Sequence, residues 1–111
     1  MRYIKLFENF DNKFEQDIKD IFVELQDKSY KISVSFWRPL KQITIYKFLG
    51  FDLEYVKEYI LMFNEYMKER FNEVKFSYVV ETIYQDQISL SSYEDFEKVK
   101  DELVSVKILI D

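Results

Sequence analysis

The chain has 111 residues, 48% of them hydrophobic and 19% aromatic, with sixteen basic against twenty-one acidic residues for a formal net charge of −5. So apolar a composition excludes a disordered segment, because burial offsets the conformational entropy lost on folding, and the acidic balance disfavours nucleic acid, whose affinity comes from neutralised phosphates. The absence of any histidine or cysteine removes the commonest general base, the thiolate nucleophile, disulfides and the usual transition-metal ligands, so no catalytic residue, cofactor or metal is expected.

A chain of this length fits one domain, taken as residues 1–111. Arg2 to Phe7 has two readings: Tyr3, Phe7 and Phe10 can extend a helical stripe backwards, or the run can form a strand, which is the reading taken forward. Phe10, Phe14, Ile18, Phe22 and Leu25 mark an amphipathic helix ending near Asp27, with Asn12 and Glu15 at the spacing of a capping pair. Tyr30, Ile32, Val34 and Phe36 alternate with Lys31, Ser33, Ser35 and Trp37 as a half-buried strand. A second strand from Leu40 to Phe48 follows the Arg38-Pro39 corner, where proline removes a ladder donor.

Gly50, the only glycine, supplies a turn, and Asp52 caps a helix running to about Phe71. Val74, Phe76, Tyr78 and Val80 define the next strand, and Gln85, Asp86 and Gln87 form a turn. Ser91 or Ser92, with Glu94 or Asp95 three residues on, starts a short helix carrying Phe96, Val99 and Leu103. Val104, Val106, Ile108 and Ile110 close the chain as a strand. This order predicts an α+β fold, a ferredoxin-like βαββαβ two-layer sandwich with a C-terminal αβ extension.

Within the long helix, Leu53, Val56, Ile60, Phe63, Met67 and Phe71 recur at the steps of one buried face. Tyr55, Tyr59, Met62 and Tyr66 repeat those steps roughly 115° further round the helix. That second stripe needs a cover, supplied either by the C-terminal part of the chain or by another protein. Trp37 and Arg38 sit at the strand corner, and both residue types are over-represented where binding energy concentrates. The candidate partner-binding residues are therefore Tyr55, Tyr59, Met62, Tyr66, Trp37 and Arg38, with another protein or a second copy of the chain as the partner.

Other chemistries leave weaker marks. A sheet face carrying Lys31, Ser33, Ser35, Trp37, Lys75, Ser77 and Val79, with Thr44, Tyr46 and Lys5, resembles the surface on which single-stranded RNA readers stack bases. The basic-Gly-aromatic-Gly-aromatic motif of that RNA-binding family is absent. Glu94, Asp95, Glu97, Asp101 and Glu102 read as a solvated helix face rather than a cation site, and a single glycine cannot build a phosphate-cradling loop. A carboxylate-based enzyme would need two acids titrating apart, and no acidic spacing marks such a pair. No secretory pattern and no 18-residue apolar segment occur, which predicts a cytoplasmic protein without a membrane span.

The opening Met1-Arg2-Tyr3-Ile4-Lys5-Leu6-Phe7-Glu8-Asn9-Phe10 resembles the start of small accessory proteins encoded by bacteriophages. The resemblance covers ten residues and implies a host-defence inhibitor, a takeover factor or a minor virion component acting in the host cytoplasm. It places a role on no residue.

Overall fold

The computed structural model describes residues 12–35, 41–71 and 73–110. The N-terminal segment that admits strand or helix, Trp37 and Arg38 all lie outside the described residues. Helices α1 (Asn12–Ile21) and α2 (Val23–Asp27) replace the single predicted helix, because Phe22 leaves the helical region with φ −99° and ψ 9°. That bend lets Ile18, Phe22 and Leu25 all reach the core with no exposure.

Helix α2 ends with Ser29 in the left-handed region at φ 73°, while Tyr30 N donates to Leu25 O at 3.0 Å. This is the glycine position of a helix C-terminus occupied by a serine. Ser29→Gly is expected to raise stability by about 0.5–1 kcal/mol, since relief of the left-handed strain outweighs glycine's added entropy cost. A shift of the urea midpoint at constant slope would show it.

Strands β1 (Lys31–Ser35) and β2 (Gln42–Tyr46) pair antiparallel. Helix α3 (Leu53–Arg70) follows, with the Asp52 carboxylate accepting from Tyr55 N at 3.2 Å as its cap. Then come β3 (Phe76–Thr82), β4 (Gln87–Leu90), a 3-10 helix (Tyr93–Lys98) and β5 (Leu103–Ile110). The turn predicted at Gln85 is present but belongs to a β3–β4 hairpin. Thr82 Oγ1 accepts there from Tyr84 N and Asp86 N, each at 3.2 Å. The predicted helix at Ser91 is one 3-10 stretch, in which Tyr93 and Phe96 eclipse at i and i+3 and pack together. Val99 has left the helix with extended φ and ψ, and Leu103 opens β5.

The described residues therefore form an α+β fold with a five-stranded antiparallel sheet in the order β1-β2-β5-β3-β4. The ferredoxin-like expectation made the last strand an appendage; it is instead the central strand. It pairs with β2 from Gln42↔Leu109 to Tyr46↔Ser105, and with β3 from Phe76↔Ile110 to Thr82↔Leu103. Its residues show why, since Leu103, Ser105, Val106, Ile108 and Ile110 are all buried, as a strand flanked on both edges requires.

The core lies between one sheet face and the helices. Ile43, Ile45, Val80, Val106 and Ile108 meet Val56, Ile60, Phe63 and Met67 there. Phe63 ties the layers together, with its ring centroid 5.8 Å from Phe22 and 5.9 Å from Phe76.

Candidate functional site

The second stripe of α3 is covered by α1 and α2, which is neither of the covers anticipated. The Tyr59 hydroxyl donates to Glu24 Oε2 on α2, and the Tyr55 hydroxyl lies 3.3 Å from the same phenol oxygen. The Tyr66 hydroxyl donates to Asp17 Oδ2 on α1 at 2.9 Å. Tyr59 is only 8% exposed, so its place among the partner-binding candidates is corrected: it is a core residue whose polar tip holds α2 down. Tyr55 and Tyr66 are half-buried with their hydroxyls engaged inside the chain. Of the four, Met62 alone stays at the surface, at 50% exposure.

The phenols at these seams hold their protons unusually tightly. Hydrogen bonding to Glu24, then to Tyr55, raises the Tyr59 phenol well above its ordinary value, and burial pushes Tyr78 up to about 12. A phenol raised above its unfolded value near 10 contributes stability that is complete below pH 10 and is lost as pH climbs through the folded value, because the unfolded chain loses its proton first. Urea midpoints are expected to hold steady up to about pH 10 and then fall towards pH 12, with Tyr78→Phe flattening part of that decline.

The face of the sheet away from the helices is polar. Its cross-strand rows run Ser33, Thr44, Lys107, Val79, Ser89 and Lys31, Tyr46, Ser105, Glu81, Gln87. The expectation placed Lys31, Ser33, Ser35, Thr44, Tyr46, Lys75, Ser77 and Val79 together with Lys5 and Trp37; the register brings together all of the described ones within the strands, Ser35 and Ser77 through Gln42 and Leu109, while Lys75 precedes β3 and Lys5 and Trp37 lie outside the described residues. Two lysines opposed by Glu81, around one tyrosine, make a weak footing for a phosphate backbone.

Exposed apolar residues gather elsewhere. Strands β2 and β3 both run antiparallel to β5 and so end on the same side of the sheet. Lys47 N donates to Val104 O at 2.9 Å, and Ile83 N donates to Glu102 O at 3.0 Å, which holds the β2–α3 loop and the β3–β4 turn on either side of the start of β5. Phe48 is 67% exposed, Leu49 74%, Ile83 41% and Tyr84 80%. Lys47 stacks over the Tyr30 ring at 4.8 Å, the Tyr30 hydroxyl accepts from Asp52 N at 2.9 Å, and Gly50 turns the chain at φ 77°. Phe48 and Leu49 are thereby presented from a braced loop.

The four connections at this end, 28–30, 47–52, 83–86 and 99–102, contain Asp52, Asp86, Asp101 and Glu102 against Lys28, Lys47 and Lys100. The result is an apolar cluster whose rim is acidic on the side of β5 and the β3–β4 turn, where Asp86, Asp101 and Glu102 lie. A strand expected to run to Phe48 gave no reason to place that ring in water; the one sequence signal for the tip was its position beside the single glycine and the Gln85 turn.

Among the described residues no cluster of three or more acids is arranged to hold a metal ion, and no helix is long and apolar enough to cross a membrane. An α+β sheet with helices on one face, a polar reverse face and an apolar tip is the class that the fold and surface define. No family model matches the chain, and no match is found among curated proteins or solved structures.

Proposed function

We propose that this protein is a non-enzymatic binding module that docks on another protein through Phe48, Leu49, Ile83 and Tyr84. The observation that carries this reading is the grouping of four large, exposed apolar side chains at one end of the sheet. Scattered exposed hydrophobics are ordinary, whereas a contiguous rimmed patch marks an interaction surface. The acids on one side of its rim, Asp86, Asp101 and Glu102, favour a partner whose apolar socket is edged there by lysine and arginine. The tyrosine stripe, spent on the chain's own helices, contributes only Met62 to any such surface.

The N-terminal resemblance supports placing such a module among bacteriophage accessory proteins, acting in the host cytoplasm as an inhibitor of a host protein. For the fold, the ferredoxin-like relation rests on the β2–α3–β3 unit, a split βαβ whose gap β5 fills.

The test is capture from the natural host by wild-type protein, by the Phe48→Ser, Leu49→Ser, Tyr84→Ser triple variant, and by Tyr46→Ser on the reverse sheet face. The reading expects a partner retained by wild type and Tyr46→Ser and lost by the triple variant. A partner kept by the triple variant and lost by Tyr46→Ser would move the function to the sheet.

A further inference from the structure

Two buried polar side chains hold the apolar tip, one for each of its loops. Tyr30 is 4% exposed and Thr82, the last residue of β3, is 3% exposed. Each gives its side-chain oxygen to loop backbone. The Tyr30 hydroxyl accepts from Asp52 N at 2.9 Å, while its ring meets the Phe51 ring edge-on at 5.3 Å and has Lys47 Nζ 4.8 Å from its centroid. Lys47 N is fixed in turn on Val104 O. The loop is therefore held at positions 47, 51 and 52, and the exposed Phe48, Leu49 and Gly50 span the interval between those anchors.

The other turn is held in the same manner. Thr82 Oγ1 accepts from Tyr84 N and Asp86 N, each at 3.2 Å, so one acceptor fixes the backbone on both sides of Gln85, which lies in the left-handed region at φ 70°. Thr82 N donates to Asp86 O at 2.9 Å, and Gln85 N donates to Thr82 O at 3.0 Å. A phenylalanine or a valine would fill either place without a hydroxyl to satisfy, and valine suits a strand at least as well. What the two oxygens add is order in the loops.

From this geometry we infer that Tyr30 and Thr82 are positioning residues for docking, Tyr30 fixing the display of Phe48 and Leu49, and Thr82 that of Ile83 and Tyr84. At 4% and 3% exposure neither has surface to offer a partner. The inference rests on the reading of the tip as a docking surface, and adds that this surface is rigid before the partner arrives, which spares binding the entropy of ordering two loops. The two halves flank β5 and so stand about 10 Å apart by ladder spacing. Their effects should add.

The test uses Tyr30→Phe and Thr82→Val in the full chain. Each removes one acceptor and keeps the shape of the side chain, and the N–H groups released belong to Asp52, Tyr84 and Asp86, exposed residues that water can serve. Melting temperatures should move by about 8 °C at most. In nitrogen-15 relaxation the wild-type amides of Phe48, Leu49, Ile83 and Tyr84 should be as rigid as the strands, with order parameters near about 0.85. Tyr30→Phe should lower order at Phe48 and Leu49 alone, and Thr82→Val at Ile83 and Tyr84 alone. Amide exchange should quicken about five- to ten-fold at Asp52 in the first variant and at Tyr84 and Asp86 in the second. Affinity for the partner retained in the capture experiment should fall about three- to ten-fold in each, although all four apolar side chains remain. Tip amides already mobile in wild type, loops left rigid by both variants, loosening spread evenly over the sheet, or loosened loops with undiminished affinity would overturn the inference. The docking reading fails by a different result, a partner kept by the triple variant at the tip.

Discussion

Tyr59→Glu is expected to unfold most of the protein, while Met62→Glu, three residues further along the same helix, is expected to leave it folded. The Tyr59 ring packs edge-on against Tyr55 at 5.3 Å, and its hydroxyl donates to Glu24. Glutamate there loses the aromatic packing, about 3–5 kcal/mol for a buried ring. It also leaves a carboxylate in the space the buried ring filled, and desolvating that charge adds several kcal/mol, whereas repulsion from Glu24, which is exposed, adds little. A domain with about 5–15 kcal/mol of total stability does not survive that sum. Met62 is half exposed, and substitution there is worth about 0.5 kcal/mol or less. Circular dichroism melts of the two variants would check the contrast. A Tyr59→Glu protein that melts like wild type would mean that α1 and α2 do not cover the stripe.

The second large effect concerns affinity. Removing Phe48, Leu49 and Tyr84 together is expected to weaken partner binding at least about 100-fold, since aromatic anchors at an interface centre commonly cost 2 kcal/mol or more each on truncation. The same three changes should alter stability by no more than about 0.5 kcal/mol each, because the side chains are largely in water already. Calorimetry on the purified pair measures the first quantity and a urea titration the second. Reversing the rim with Asp101→Lys and Glu102→Lys should slow association and weaken its salt dependence with little change in the dissociation rate. A rim that accelerated association on reversal would point to an acidic partner.

Local order was legible in the sequence wherever it depended on neighbours along the chain. The Asp52 cap, the phase of Val56, Ile60, Phe63 and Met67 and the alternation of β1 follow from periodicity and capping chemistry, and the structure has them. Periodicity shows that a face is buried but not what buries it. The cover on Tyr59 and Tyr66 therefore came from Glu24 and Asp17, some 35 and 49 residues away along the chain, rather than from the C-terminal part. Strand β4 was missed because Gln87–Leu90 offers four residues, too short a run for alternation to stand out. The apolar tip was illegible because exposure at Phe48 and Tyr84 is set by how two loops flank β5.

The central place of β5 also governs how the molecule is made. Ribosomal synthesis delivers β2 and β3 long before residues 103–110 emerge, and those two strands have no direct pairing with each other. Until the late strand arrives, each leaves an unpaired edge beside a greasy helix, the kind of surface that chaperones hold and neighbouring nascent chains stick to. Completion of the sheet thus waits on translation of the eight-residue strand β5, and a ribosome stalled before Leu103 carries a chain that cannot complete it.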